Sequence, residues 1–330
     1  MGSHLCERLL ANGLEVICVD NLITGRRQNV AGLLEHPGFA YLYHDVVEPL
    51  PPLPRLDQIY HLASPASPPA YQHYPVETLR VNSEGTRHLL ELAAAHGARF
   101  LFASTSEVYG DPLEHPQCEE YRGNVSTIGP RSMYDEAKRY GEALTITFAE
   151  AKGVETRIAR IFNTYGPRMD PDDGRVVSNF IVQALRGKAL TVYGDGNQTR
   201  SFQYVDDLIE GLVRLMASAH CGPLNIGNPS EYTVLQLARL IQEMTGTTAP
   251  IEFRPLPGDD PKQRRPDITL ATTVLKWQPR VPVTAGLAST IDYFHEQLGV
   301  APVAANGRHY DHSFSGLMIE HHEAIQPTVY

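Results

Sequence analysis

Residues 1–21 read MGSHLCERLLANGLEVICVDN, and the order of patterns within them decides how the rest of the chain is parsed. Leu5, Leu9 and Leu10 recur at helical spacing, Gly13 follows as a stop, and residues 15–20 (EVICVD) form a short β-branched run ending in an acid. The strand pattern returns at residues 39–45 (FAYLYHD), 58–64 (QIYHLAS), 99–105 (RFLFAST) and 155–162 (ETRIARIF). Between these runs lie helical patterns, among them residues 76–96 and 134–152, closed by Gly97 and Gly153, which suit the left-handed position past a helix end. Apolar strands alternating with helices specify a mostly parallel, doubly wound sheet covered on both faces. Such sheets bind ligands at the carboxyl ends of their strands. The polar residues fall there: Asp20, Asn21, Asp45, Ser64, Thr105, Ser106, Glu107 and Asn163.

The composition narrows the partners. The chain has 330 residues, 42% of them hydrophobic, which suits a globular protein with a large core. A formal net charge of −10 argues against nucleic acid, whose phosphates need a basic surface. No apolar run reaches membrane-span length, and no basic segment followed by a hydrophobic one opens the chain. Cys6, Cys18, Cys118 and Cys221 lack metal-ligand spacing and read as reduced thiols, which fits a cytoplasmic location.

From about Gly166 the texture changes to proline- and glycine-punctuated pieces with short helices among them. We expect a cofactor-binding domain over residues 1–165, with returns near 203–227, and a smaller substrate lobe over 166–202 and 228–298. Residues 299–330 lose periodicity and are expected to form an irregular tail. Its His321, His322 and Glu323 read as a solvated cluster, and no metal site is expected.

Three features could carry chemistry. Asp20, where its strand follows a glycine turn and a helix, would accept hydrogen bonds from an adenosine ribose and favour NAD over NADP; a loop-capping aspartate is the plain alternative. Tyr134 and Lys138 are four apart on a predicted helix that follows a strand ending in Thr105. There the ammonium, helped by a cationic cofactor ring, would lower the phenol's pKa so that it can take a hydroxyl proton. An ordinary surface pair is the alternative. Glu107 could act as acid or base, or be a solvated loop residue. Finally, Arg168, Arg175, Arg200, Arg264 and Arg265 lie in loops of the smaller lobe of an acidic protein, which suggests an anionic small ligand.

Taken together, DNLITGRRQNV, DQIYHLASPASPPAY, ASTSEVYGDP, the Tyr134/Lys138 pair, RIFNTYGPRM, DGRVVSNFI, LTVYGDGNQTRSFQYVDDL and RRPDI are similar to the extended short-chain dehydrogenase/reductase family of nucleotide-sugar enzymes. HLASPASPP, STSEVYGDP and RVVSNFI resemble its UDP-glucuronate decarboxylase branch more than the others. The resemblance covers residues 2–298. It implies a Rossmann-like fold, NAD as cofactor, a UDP-sugar substrate and a homodimer. It also implies oxidation at C4, loss of CO2 and re-reduction to UDP-xylose. By resemblance, Gly2, Ser3, Asp20, Asn21, Thr24, Gly25, Asp45, Val46 and Leu62 would hold the cofactor together with Tyr134 and Lys138. Thr105, Ser106, Glu107, Tyr134 and Lys138 would be catalytic, and Asn163, Val177, Tyr193, Arg200 and Arg264 would bind substrate, with Arg265 an equal choice beside Arg264. Related 4,6-dehydratases carry an acid where Ser106 stands, and related 4-epimerases lack the Glu107 equivalent. These activities, or a non-catalytic UDP-sugar-binding role, are the alternatives.

Members of the family open with a strand and a turn of the form GGAGFIGSHL. Here only GSHL matches, with Gly2 as the last glycine. The expected consequence is a sheet wanting a middle strand, whose neighbours lose hydrogen-bond partners. A start recorded too late is expected over a fragment or an inactive paralogue, because the other motifs are intact.

Overall fold

The computed structural model describes residues 1–255 and 263–300. The tail beyond residue 300, with His321, His322 and Glu323, lies outside them. Five strands carry the first half: β1 (Val16–Asp20), β2 (Phe39–Tyr43), β3 (Gln58–His61), β4 (Arg99–Thr105) and β5 (Thr156–Ile161). All their pairings are parallel, and the Pro223–Ile226 strand adds to β5 from far along the chain. Alternation of apolar strands with helices therefore gives the expected α/β fold.

The sheet comes in two pieces, one of β2 and β1 and one of β3, β4, β5 and Pro223–Ile226. Among the described residues, β1 and β3 are each an end strand of its piece. The Gly2–Ala11 helix packs Leu5, Cys6, Leu9 and Leu10 into a core shared with β1 and the Val205–Ala217 helix. On the other side the Thr86–His96 helix buries Leu89, Leu90 and Ala93 against Ile59, Phe100 and Phe102. Each of these leucine, isoleucine and phenylalanine side chains contributes about 1.5–3 kcal/mol when fully buried.

Helix ends follow the sequence. Gly97 and Gly153 take φ of +66° and +67° and close the Thr86–His96 and Ser132–Lys152 helices. The expected helix over residues 76–96 is interrupted by one π turn, Val81–Gly85. At Gly85 a Cβ would come within 3.1 Å of Val46.

Past residue 165 a second core gathers around Phe180, Ile181, Leu190, Val192, Leu237, Ile241, Leu287 and Phe294. Over it lie two small sheets. In one, Leu190–Tyr193 pairs with Ile251–Arg254; in the other, Thr199–Ser201 lies between Glu231–Thr233 and Gln263–Arg264. The second places Arg264 directly opposite Arg200. Two arginines 64 positions apart in sequence are thereby brought side by side.

Candidate active site

β4 ends at Thr105, and the chain turns at once into the short helix Ser106–Tyr109. Thr105 caps that turn, its Oγ1 accepting from the Glu107 N–H at 3.2 Å. The strand end is held from below. Ser104 Oγ donates to Glu142 at 2.5 Å, and Arg160 grips the same carboxylate twice, at 2.9 and 2.8 Å. Arg160 also donates to the Tyr109 hydroxyl, which donates to Asn225. A buried network with its charges paired fixes geometry well.

The Ser132–Lys152 helix crosses this strand end because Gly141 admits Phe102; a Cβ there would stand 2.2 Å from the Phe102 ring. The crossing buries Tyr134 and Lys138 on the face toward Thr105, whose hydroxyl hydrogen-bonds the Tyr134 phenol. Tyr71 stacks on Tyr134 at 4.9 Å and 10° between planes. Sequence reasoning did not single out Tyr71. Its signal was the proline-started helix Pro68–His73 within the SPASPPAY motif.

The lysine departs from expectation. Lys138 Nζ donates to the Ala103 carbonyl at 2.8 Å and lies 5.8 Å from the Tyr134 ring centroid. Burial pushes the Tyr134 phenol up, more than the Thr105 hydrogen bond lowers it, and burial pushes Lys138 down to about 7. The expected lowering of the tyrosine pKa is therefore absent in this state. Most of that lowering would have to come from a positive charge brought in by a ligand.

Glu107 is bridged. Arg264 donates to one carboxylate oxygen and Arg131 to the other, at 2.5 Å for the latter. Burial pushes the acid up, but Arg264 and then Arg131 outweigh it and hold Glu107 at about 2, with Arg200 adding to the effect. Glu107 is thus a fixed carboxylate rather than a solvated loop residue. Arg264 is buried and also donates to the Gly110 carbonyl, whereas Arg265 is half exposed beside Glu231. The structure therefore separates the two adjacent arginines, and Arg264 is the one that faces the cluster. Arg131, three residues before Tyr134, was missed; its i, i+3 spacing to the tyrosine was the available clue.

A second group lies at the ends of β1 and β2. Asp20 Oδ1 accepts from the Leu22 N–H at 2.7 Å, and Leu22 itself takes a left-handed φ of +58°. Asn21 donates to Asp45 at 2.9 Å, while Asp45 also accepts from the Val47 N–H. Asp20, Asn21, Thr24, Gly25, Asp45, Val46 and Leu62 line one small cavity together. A cavity of about 1040 Å³ adjoins it, lined at one end by Gly2, Ser3, Asp20, Gly25, Arg168 and Arg175. Tyr134, Thr105 and Glu107 do not line it, but Arg175, held by Asp173 at 2.6 and 2.9 Å, acts electrostatically on Tyr134 from its wall.

The remaining candidates are spread out. Asn163 binds through its backbone carbonyl to the Gln203 N–H. Val177 is buried in the second core, and Tyr193 is exposed at the end of Leu190–Tyr193. Both stand outside the hydrogen-bonded group around Glu107.

Residues 1–227 match the model of the NAD dependent epimerase/dehydratase family. The chain belongs to that family. Among relatives, UDP-glucuronic acid decarboxylase 4 of Arabidopsis thaliana is 57% identical over 90% of this chain and 67% of its own length. UDP-glucuronic acid decarboxylase 1 of Xenopus tropicalis is 54% identical over 90% of this chain and 70% of its own. The chain thus spans about two thirds of the length of these relatives. Among solved structures, UDP-glucose 4-epimerase of Thermotoga maritima with UDP-glucose superposes with a TM-score of 0.82 at 30% identity, covering 90% of this chain and 96% of that one. UDP-glucuronic acid 4-epimerase of Bacillus cereus with UDP-glucuronic acid and NAD gives 0.80 at 29% identity, with the same coverage.

The residues present fit the cofactor that this family uses. A Cβ on Gly2 would meet nothing within 4 Å, so this glycine borders open space at the amino end of a helix, where anionic phosphate is favoured. Gly25, by contrast, packs so tightly on Asp20 that a Cβ would stand 2.7 Å from Oδ2. The absence of a side chain there leaves the Asp20 carboxylate its place at the cavity wall.

No helix among the described residues is long and apolar enough to cross a membrane.

Proposed function

We propose that this protein converts UDP-glucuronate to UDP-xylose and CO2. The observation that supports it best is the buried group in which Thr105 hydrogen-bonds Tyr134 while Glu107, next to Ser106, is held as a carboxylate by two arginines. Bound NAD+ supplies an acceptor for the C4 hydride of the sugar and later returns it. Asp20, with Asn21, holds its adenosine ribose, Asp45 and Val46 its adenine, and Gly2 and Ser3 its pyrophosphate.

Tyr134 takes the C4 hydroxyl proton, with Thr105 oriented on the same oxygen. The resulting 4-ketone is β to the C5 carboxylate, so CO2 leaves with its bonding electrons delocalised into an enolate. C5 is then reprotonated. Lys138, anchored on Ala103, sets the charge around the phenol rather than touching it. Ser106 cannot supply the acid that expels a 6-hydroxyl, which sets the site against dehydration. Glu107, Arg131 and Arg264 lie beside the sugar, and Arg264, Arg200, Asn163, Val177 and Tyr193 serve the UDP portion.

The cofactor domain spans residues 1–165 with returns near 203–227, and the substrate lobe spans 166–202 and 228–298. The protein works as a cytoplasmic homodimer. Incubation with UDP-glucuronate and NAD+ tests the reading: CO2 and UDP-xylose should form together. Turnover of another UDP-sugar with none of UDP-glucuronate would replace it.

A further inference from the structure

Arg264 is buried on Glu107, while Arg265, the next residue, stands half exposed beside Glu231. Successive side chains of an extended backbone leave on opposite sides, so a slip of one residue would exchange the two arginines. Whatever holds the register here is therefore part of the site. The Gln263–Arg264 strand is only two residues long, and its pairing with Thr199–Ser201 sets Arg264 opposite Arg200. The residues that follow Arg264 carry the rest of the constraint.

Their bonds converge on Gln117, 148 positions before Arg265 and fully buried. The Arg265 N–H donates to Gln117 Oε1 at 2.9 Å, and the Gln117 N–H donates to the Arg265 carbonyl at 2.9 Å. The Asp267 N–H donates to the Gln117 carbonyl at 2.8 Å. Pro266, between them, has no N–H and forms a parallel β-bridge with Gln117. Both backbone donors of residues 265–267, and the Arg265 carbonyl, thus end on one residue. Buried backbone groups must be paired, so a slip would leave all three without partners. The carboxamide is held the right way round, because its Nε2 donates to the Glu114 carbonyl at 2.7 Å. A flip would set carbonyl against carbonyl and N–H against N–H.

Asn225 ties this frame to the turn that carries Glu107. Its Nδ2 donates to the Gln117 and Asp267 carbonyls at 3.0 and 3.1 Å, and its Oδ1 accepts from the Tyr109 hydroxyl at 2.8 Å. Tyr109 ends the Ser106–Tyr109 helix, and Gly110, which follows, accepts from Arg264 Nη2 at 3.2 Å.

We propose that Gln117 is a positioning residue of the active site: it sets the register of residues 264–267 and so puts Arg264, rather than Arg265, on Glu107. It acts through Arg264. Its effect on turnover rests on the proposed reaction, whereas its effect on the Glu107 bridge does not.

The test is a double-mutant cycle on the full chain, with Gln117→Met and Glu107→Gln made singly and together and read as urea midpoints at pH 7. Distant sites that act independently have additive effects. With Arg264 displaced, Glu107 has less to lose. The midpoint shift caused by Glu107→Gln should therefore fall, in the Gln117→Met background, to about half or less of its wild-type size. An equal shift in both backgrounds overturns the proposal. Where Gln117→Met fails to fold, Gln117→Asn carries the same cycle, being one methylene too short to reach the Arg265 N–H. Turnover gives the second readout: kcat with UDP-glucuronate should fall about tenfold or more, while NAD+ affinity by calorimetry stays within about twofold. Loss of packing alone does not divide the two in this way, and a wild-type kcat in the folded variant overturns the proposal. A wild-type protein that does not turn over UDP-glucuronate would count against the proposed reaction and leave the stability cycle to decide the role of Gln117.

Discussion

Arg131 Nη2 stands 2.5 Å from Glu107 Oε2, so the tyrosine-bearing helix is tied at its first turn to the residue just past the end of β4. Arg264 takes the other oxygen from the Gln263–Arg264 strand. One carboxylate thus joins three parts of the fold at the site where the sugar would react. Glu107→Gln leaves two buried guanidinium groups facing a neutral amide. We expect a loss of about 3–5 kcal/mol, the usual cost of removing one partner from a buried ionic group. A urea midpoint unchanged from wild type would show that the bridge does not clamp the fold.

Acid should act through the same residue. The folded-state pKa of Glu107 is about 2, below its ordinary 4.5, so its contribution to stability is fully present above about pH 4.5 and fades as pH falls toward 2. Wild type and Glu107→Gln should converge in stability across that window. Parallel pH curves would contradict the assignment.

Lys138 gives the same sign in a higher window, here as a penalty that is relieved as pH rises. Burial lowers it from 10.5 to about 7, so between these values the unfolded chain binds the extra proton. Wild type should therefore gain roughly 3–4 kcal/mol relative to Lys138→Met as pH rises from 7 to 10. Comparison with the variant cancels the ionisation of the buried tyrosines. A pH-independent difference would mean that the ammonium is not desolvated.

Gly25→Ala tests the cofactor wall. Its Cβ would lie 2.7–2.8 Å from both Asp20 carboxylate oxygens, so Asp20 must move. We expect NAD+ affinity to fall about tenfold or more by calorimetry, with melting little changed. Unchanged affinity would remove Asp20 from the binding site.

Much of this was legible before the structure. The short apolar runs and helical patterns placed β1 to β5 and the glycine stops, and the polar strand ends marked Asp20, Asp45 and Thr105 because parallel sheets put ligands there. What the sequence hid is what depends on distance through space. Glu107 and Arg264 are 157 positions apart, and Arg200 meets Arg264 only through strand register. No spacing rule reaches that far. Tyr71 was hidden for a related reason, since its stacking on Tyr134 depends on how two helices cross. The expected effect of Lys138 on the phenol failed on burial, which raises a neutral phenol's pKa and lowers an ammonium's at once.

The most direct measurement follows the fate of one carbon. With UDP-glucuronate labelled with 13C at C6, and NAD+, NMR should show the label leaving as CO2 and bicarbonate while an unlabelled UDP-xylose accumulates in equal amount. Tyr134→Phe should leave the label in place, with the fold intact. If wild type keeps the label in a UDP-hexuronate, epimerised or unchanged, the decarboxylase account is wrong.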